Sequence, residues 1–429
     1  MSELPHGWAA SMLGEIGEYL NGRGFKKSEW RENGRPIIRI QNLTGSTNHF
    51  NYFDGQPEDQ YTAREGDVLV SWAATLGVFV WKGPEAVVNQ HIFKVRSWIN
   101  HDFHRYVLQS VLDDLRRQTH GSGMVHITKG RFESTAVAVP PLAEQRRIVA
   151  AIEEHFSRLD AAETLLIRGR TRLQRLRERI VEVALAGDWS WRATGELAEV
   201  QGGIQKQPKR RPVENKAPFL RVANVLRGRL DLSEVHEIEL FDGELQRYRL
   251  LPGDLLVVEG NGSIEQIGRA AMWAGEIENC VHQNHLIRVR PGPGLLPAFL
   301  DLYWNAPSTR IRLADVASST SGLYTLSTAK VKAVPVPEVP LDEQRRIVAD
   351  VERQLSVVDA MAAEIDRALR RSAALRRSIL EQAFSGKLVP QDPSDEPASA
   401  LLERIRAERA AAETTTGRRP RRRATMRAR

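Results

Sequence analysis

Cysteine is almost absent from this 429-residue chain: Cys280 stands alone. An intrachain disulfide and a cysteine-built metal cage are thereby excluded, and the usage fits a reducing compartment. No apolar run approaches the ~20 residues a membrane-spanning helix needs. The opening MSELPHGWAA lacks the charged-then-apolar layout of a secretory signal, so a cytoplasmic location is expected. Equally missing are a GxxxxGK[ST] phosphate loop, a GxGxxG turn, an Asn-Pro-Pro-aromatic motif and any His/Cys cluster with metal-ligand spacing. Asp342-Glu343-Gln344-Arg345 has the letters of a helicase box, but no phosphate loop accompanies it. The chain is expected to catalyse nothing itself, with no catalytic residue and no metal site.

Charge of one sign is scarce as well. The net +7 comes from the last twelve residues, Arg418–Arg429, which hold seven arginines and no acid. Without them 54 basic residues face 54 acidic ones, so a polyanion-binding surface must come from uneven distribution. An Arg-rich terminus is as often a solvated extension as a binding arm. Its deletion is expected to flatten the salt dependence of nonspecific polyanion binding while leaving any sequence preference intact. Hydrophobic residues at 41% and charged ones at 27% allow an ordinary core, and the length suits two to four domains.

What the chain does have is a repeat. Residues 141–150 read PLAEQRRIVA and residues 340–349 read PLDEQRRIVA, at an offset of 199. Each follows a proline-rich approach and opens a long run without proline, as suits the first turn of a helix. Glu144 and Glu343 sit near the positive end of the helix dipole, with Arg147 and Arg346 three residues on for an i,i+3 pair. One copy would be only a good helix start. Two copies indicate a duplicated unit.

The rest of the chain follows suit. Residues 1–141 read as a mixed block of short strands (36–40, 67–70, 92–95) with a helical pattern at 103–117. Residues 142–187 form a first long helix, ended by Gly187. Its seam is Ile148, Ile152, His155, Leu159, Ala162, Leu166, Gly169, Leu173, Leu176, Ile180 and Val183, spaced alternately four and three. His155 reads as a register or surface residue, and Gly169 as a weak point. Residues 188–339 repeat the first block: Gly195-Glu196-Leu197 answers Gly14-Glu15-Ile16, and Gly253-Asp254-Leu255-Leu256-Val257 answers Gly66-Asp67-Val68-Leu69-Val70. His285 likewise answers His91, and a single helix signal spans Ala298–Leu313. Residues 340–387 form the second long helix, with the seam Ile347, Val351, Gln354, Val358, Met361, Ile365, Ala368, Ser372, Leu375, Ile379 and Gln382, stopped by Gly386. Residues 388–429 read as a basic, flexible tail in which Ala400–Glu413 has the pattern of a short charged helix.

The fold class is therefore mixed α/β (α+β), with two globular blocks and two long helices. Two such helices with matched seams should pair antiparallel, relating the blocks by a pseudo-twofold axis. A ~45-residue helix spans roughly 65 Å. That is at most about 20 base pairs of DNA at ~3.4 Å each. A twofold protein with separated heads suits two half-sites with a fixed gap. Seven residues deleted from one seam should misalign the heads or change the gap.

On these residues the sequence closely resembles the DNA specificity subunits of type I restriction–modification systems. The duplicated Pro-Leu-x-Glu-Gln-Arg-Arg-Ile start, the Gly-Asp-hydrophobic segments and the helices ending in Gly187 and Gly386 carry the likeness, over about residues 10–387. The resemblance implies two target recognition domains, each reading half of a split asymmetric site in double-stranded DNA in a prokaryotic cell. It implies that the helices act as a ruler and dock two modification (methyltransferase) subunits, joined by restriction/translocase subunits. S-adenosylmethionine, ATP and magnesium would belong to those partners, with no cofactor in this chain. Nothing carries over to the tail.

Affinity is expected from Lys and Arg on phosphates, discrimination from polar groups at base edges. The candidates in the first block are Arg23, Lys26, Lys27, Ser71, Trp72, Thr75, Asn89, Gln90, Ser122, His126, Thr128, Lys129 and Arg131. Those in the second are Gln205, Lys206, Lys209, Arg210, Arg211, Asn261, Ser263, Gln283, Asn284, Thr320, Ser321, Tyr324, Thr325 and Lys330, with Glu259 beside them. Lys206–Arg211 is the densest basic loop, open to phosphate contact or to plain solvation. His91 and His285 read more readily as structural hydrogen-bonding residues. Trp72 and Trp81 could stack on DNA or pack in a core. Gly66, Gly77, Gly253 and Gly268 read as turn residues. Two rival readings stay open: a non-enzymatic scaffold or adaptor binding protein or RNA, and a self-contained DNA methyltransferase or nuclease, against which the missing cofactor motifs argue.

Overall fold

The computed structural model describes residues 4–118, 128–320 and 323–416. Ser122, His126, Ser321 and the arginines of 418–429 lie outside the described residues. Two units emerge: residues 1–164 with 369–429, and residues 165–368. Each unit therefore holds one block and part of each long helix, so the division falls inside the helices rather than at their ends.

In unit 1 a four-stranded sheet runs Gly17–Asn21, Ile92–Ser97, Val68–Ser71, Gly77–Val80, all antiparallel. A second sheet contains Arg35–Ile38 and Ala86–Val88, paired in parallel. Ala9–Met12 pairs with Ala136–Val139, so both ends of the block meet where the first long helix begins. The alternating apolar residues of these strands and the helix His101–Gln118 share one core with Tyr19, Phe93, Phe103 and Phe132. Unit 2 repeats the plan: Ala198–Gly202, Leu286–Pro291, Leu255–Val258, Ala270–Met272, with Lys216–Leu220 parallel to Val281–His282. Trp191–Ala193 pairs with Pro335–Pro337 in place of the closing strand pair of unit 1. The helix signal at 298–313 resolves into two helices, Pro297–Asn305 and Pro307–Val316. Pro307 cannot donate into the preceding turn, and Ala306 before it is extended.

The long helices run Leu142–Leu185 and Leu341–Phe384. Their shared start motif is structural. Gln145 is buried, donating to Pro140 O (2.9 Å) and accepting from Asn100 N (3.0 Å). Gln344 does the same with Val339 O (2.7 Å) and Leu296 N (2.7 Å). In each copy one amide side chain ties the helix start to the proline segment before it and to the block.

Pairing is antiparallel within both units. In unit 1 Arg376 meets Asp160 at 2.6 Å and Ser372 donates to Glu163 at 2.5 Å. In unit 2 Arg170 meets Asp366 at 3.6 Å and Arg177 meets Asp359. The seam differs from the apolar reading at most of its alternate positions, Gly169 and Ala368 excepted. Ile152, Leu159, Leu166, Leu173 and Ile180 do face inward, whereas His155, Ala162, Leu176 and Val183 are exposed and Phe156, Glu163, Arg177 and Ala184 take their places. The second helix shows the same one-residue step: Gln354, Met361, Leu375 and Gln382 are exposed, while Leu355, Ala362, Arg376 and Ala383 turn inward. Interhelical ion pairs occupy part of the contact, and apolar spacing alone cannot reveal them. Gly169 lies against Ile365, whose Cδ1 would be 3.4 Å from an added Cβ.

The two helix stops are unlike. Gly386 has φ +69°, with Lys387 N bonded to Gln382 O (2.9 Å) and Gly386 N to Ala383 O (3.3 Å), a Schellman closure. Gly187 is not left-handed; a Cβ there would collide with the Trp189 indole at 2.3 Å, so close approach is what requires glycine. The segment after Gly386 is a further correction. Instead of a flexible tail with a helix over 400–413, it forms a helix Ala398–Thr416 docked on unit 1. Leu401, Leu402 and Ile405 belong to the unit 1 core, Arg406 pairs with Glu15 (3.2 Å), and Arg409 donates to Gly14 O (2.8 Å). Asp395 takes Arg147 at 2.6 Å. Consequently Glu144 does not pair with Arg147 as anticipated; it accepts the Trp8 indole N–H (3.1 Å) instead. Burial holds the Glu144 carboxyl above its ordinary range. In unit 2 the anticipated pair is present, Arg346 to Glu343 at 2.6 Å.

Candidate nucleic-acid interface

The Gly-Asp turn comes first, because it frames the loops. Gly66 (φ +89°) donates to Trp81 O at 2.9 Å and Asp67 accepts from Arg64 N at 2.8 Å. Gly253 (φ +93°) donates to Trp273 O at 2.8 Å and Asp254 accepts from Leu251 N at 2.7 Å. These are structural turns, and Trp81 is a buried core residue. The ion pairs behind them are crossed between the units. Asp67 pairs with Lys94 (3.1 Å) and Glu18 with Arg96 (3.4 Å) in unit 1. In unit 2 the counterpart of Asp67, Asp254, takes Arg290 (2.7 Å), the counterpart of Arg96, while Glu199 takes Arg288 (2.6 Å).

The strand ends beyond these turns bring three loops together by backbone bonds. In unit 1 Arg23 N reaches Val88 O (2.9 Å), Gln90 N reaches Arg23 O (2.9 Å), and Trp72 N reaches His91 O (3.2 Å). In unit 2 Ile204 N reaches His282 O (2.8 Å), Asn284 N reaches Ile204 O (3.0 Å), and Glu259 N reaches His285 O (3.0 Å). The frame is the same, and the side chains it carries differ. In unit 1 the Trp72 ring meets the His91 ring edge-on at 4.8 Å and stacks on Phe93 at 5.6 Å. In unit 2 the Glu259 carboxylate meets His285 Nδ1 at 2.8 Å. His91 (φ +71°) and Ala74 (φ +58°) are left-handed non-glycine residues of the unit 1 loops, a backbone cost that only the surrounding structure sustains. The bonds made by His285 fit the structural role expected for it.

Several candidates are held by the chain itself. Ser71 is fully buried, its hydroxyl donating to Thr75 O at 2.5 Å. It cannot reach a groove, which corrects its selection from polarity alone. Arg23 pairs with Glu29 and lies over Phe25 (4.9 Å) and Phe53 (5.0 Å). Arg210 forms a bidentate pair with Glu244 (2.7 Å on each arm) above Phe241 (4.3 Å), so it braces its loop and is not the phosphate contact sought there. Its neighbours Gln205, Lys206, Lys209 and Arg211 are exposed. Lys206 and Arg211 help line a cleft of about 620 Å³ with Pro208, Phe219 and His236. Lys26, Lys27, Thr75 and Gln90 are exposed in unit 1, with Asn89 half-buried.

The remaining candidates sit on short elements nearby. Thr128 caps the helix Lys129–Glu133 by accepting from Arg131 N (3.4 Å), and Lys129 pairs with Glu133 (3.5 Å). Asn261 pairs with Tyr324 through the backbone, and Thr325 with Gly260, in a small sheet that continues to Thr320. Leu326 N bonded to Glu259 O (2.7 Å) ties that sheet to the converging loops. Ser263 is exposed, Gln283 and Asn284 are half-buried, and Lys330 N bonds the Ser327 hydroxyl at a helix start. Sequence reading passed over His104, which is buried between Tyr19 Oη (2.8 Å) and Ser97 Oγ (2.8 Å), and His282, which is fully buried. Burial depresses both imidazoles to about 3. Burial likewise lifts Asp301 to about 6 and pushes the Cys280 thiol up to about 12, leaving it unreactive. No cluster of three or more His, Cys, Asp or Glu fit to hold a metal occurs among the described residues. No described helix is long and apolar enough to cross a membrane.

Comparison with known proteins gives these likenesses. Residues 5–168 match the family described as the type I restriction modification DNA specificity domain. The specificity subunit of the type I restriction enzyme EcoKI from Escherichia coli (strain K12) is 25% identical, over 95% of this chain and 97% of its own length. That of EcoBI from Escherichia coli is 25% identical over 94% and 93%. A structure reported for complex assembly and conformational transition of the type I R-M system superposes with a TM-score of 0.70 at 18% identity, covering 90% of this chain and all of that one. That likeness speaks for the fold.

Proposed function

We propose that the chain is a DNA specificity subunit of a type I restriction–modification system, a non-catalytic component that works on DNA with partner subunits; the family match over residues 5–168 and the full-length likeness to two such subunits support this reading. Each block reads one half of a bipartite, asymmetric site in duplex DNA. One observation carries this reading: the same backbone-locked trio of loops occurs in both units with different side chains on it. An identical frame presents each loop set to a groove in the same way, and unlike side chains make the two words differ.

The exposed cations supply sequence-independent grip. Lys26, Lys27, Lys206, Lys209 and Arg211 neutralise phosphates, while Thr75, Asn89, Gln90, Gln283 and Asn284 face base edges. The helices set the unread gap and dock two modification subunits, to which restriction/translocase subunits add. S-adenosylmethionine, ATP and magnesium act in those partners. The experiment is a genome-wide map of methylated bases in host cells with and without this chain. A split motif that vanishes with the chain supports the reading. An unchanged methylation map contradicts it.

A further inference from the structure

The two units diverge in the loop that follows the first strand of each four-stranded sheet. Arg23 and Ile204 occupy the same place in it, since each bridges to the matching strand end, at Asn89 or at Gln283. Two residues on, unit 1 has Phe25 and unit 2 has Lys206. Beyond short helical turns at Lys27–Glu29 and Pro208–Arg210, Trp30 is answered by Arg211. The strand registers complete the match: Ile37 pairs with Val87 as Phe219 does with Val281, and Phe53 faces Arg35 as Ile238 faces Ala217. Unit 1 fills this place with its own rings. Phe25 and Trp30 pack against Ile37 and Phe53, the Phe25 and Phe53 rings lie 5.3 Å apart, and the Arg39 guanidinium lies over Trp30 at 5.7 Å.

Unit 2 dispenses with all three rings. Lys206, Arg211 and Ile238 stand where unit 1 has Phe25, Trp30 and Phe53, and the two cations are exposed. The result is the cleft of about 620 Å³, with buried Phe219 and Ile238 at its floor and Lys206 and Arg211 at its rim. That volume falls within the roughly 300–1,000 Å³ of small-ligand pockets. Gln207 and Glu237 add polar groups to the wall. An apolar floor shaped by missing rings, with two cations above it, suits a planar ring that carries negative charge. Ile204, two residues before Lys206, is bonded into the converging loops (Ile204 N to His282 O, 2.8 Å), so the cleft adjoins the surface proposed to meet DNA.

We propose that this cleft receives one nucleotide swung out of duplex DNA. The base lies on Phe219 and Ile238, Gln207 and Glu237 meet its edge, and Lys206 and Arg211 hold the flanking phosphates. A base inside the stack cannot enter a concave site, so the nucleotide must leave the duplex first, which an unpaired one does most readily. Stacking on the floor accepts any base, because every base has a flat face. The inference rests on the reading that unit 2 meets duplex DNA, and it assigns to unit 2 a pocket that unit 1 closes with its own side chains.

The test uses the full-length chain and two fluorescein-labelled synthetic duplexes, one fully paired and one carrying a single unpaired thymidine. The parent chain should bind the bulged duplex about tenfold more tightly, the size of one stacked base. Lys206→Phe and Arg211→Trp, which put back the rings of unit 1, should each bring the two affinities together. Arg211→Gln removes the charge but leaves the cleft open, so it should weaken binding of both duplexes and keep the preference. Equal binding of the two duplexes by the parent chain, or a preference that survives both ring substitutions, overturns the proposal. Saturation by free thymidine 5′-monophosphate without any preference for the bulge would overturn the assignment to DNA. A parent chain that lacks the preference yet still directs a split methylation motif in cells would refute the cleft and leave the bipartite reading standing.

Discussion

Unit 1 and unit 2 share a plan, and the instructive part is where they part company. Both lock three loops by equivalent backbone bonds, both tie the helix start down with a buried glutamine, and both turn on a Gly-Asp pair. Among their differences are the partners inside the ion-pair layer, the side chains on the loops, and a tail helix that packs on unit 1. The backbone scaffold repeats, and the side chains that could meet a ligand or a partner diverge. That division is what a reader of two different words needs.

The ion-pair layer should give the largest contrast. Asp254 is 1% exposed and holds Arg290 by both oxygens, whereas the Asp67 side chain is 27% exposed and holds Lys94. Asp254→Ala leaves Arg290, whose side chain is 27% exposed, within reach of water, and should cost about 1–2 kcal/mol. Asp67→Ala strands Lys94, whose side chain is only 7% exposed, and should cost about 4 kcal/mol. Denaturant unfolding read by hydrogen exchange would assign each loss to its unit. Equal losses would break the contrast.

Next is the tail. Leu402→Ala removes a buried side chain from the unit 1 core and should destabilise that unit by about 3 kcal/mol. Amide protection in residues 165–368 should stay as it was. Protection lost there as well would mean the tail supports more than the unit on which it docks.

Acidity separates the units further. His104 and His282 are held neutral with values near 3, so their unfolded forms bind protons below about 6.5. Their contribution is complete above about 6.5 and is lost as pH falls toward 3. Asp301 in unit 2 runs the other way: raised to about 6, its contribution is complete below about 3.8 and is lost as pH rises through 6. Asp301→Asn should therefore raise the melting temperature at pH 8 relative to the parent chain by more than it does at pH 4. His104→Gln should blunt the acid sensitivity of unit 1. A variant-to-parent difference that does not change with pH would contradict both assignments.

The smallest effect belongs to Gly169. Its nearest neighbour, Ile365 Cδ1, would stand 3.4 Å from a new Cβ, room enough for a methyl group. Gly169→Ala should stabilise the helix by up to about 1 kcal/mol, measurable by thermal unfolding. A loss would show that the helices need to approach more closely there than this spacing implies.

Much of the plan was legible in the letters. A helix start repeated at constant offset located both long helices within three residues, because a proline-flanked start and 40 residues of period are strong signals. The seam phase was not legible, since Glu163, Arg177 and Arg376 face inward through ion pairs that apolar spacing ignores. The docked tail was missed for a related reason: three apolar residues among many charges look like a solvated helix until Asp395 and Arg406 are seen to meet Arg147 and Glu15. On the candidate interface, polarity picked Ser71 and Arg210, which turn out to be internal braces. Local composition cannot tell a side chain that waits for DNA from one already bonded to its own chain.

The central claim is that two unlike blocks each read their own half of one DNA site. It is tested most directly by mapping methylated bases in cells whose only copy of this chain has residues 188–339 replaced by residues 1–141. The account predicts a new motif in which one original word persists, now repeated in inverted orientation, and the other word is gone. Persistence of the original split motif in those cells would contradict it.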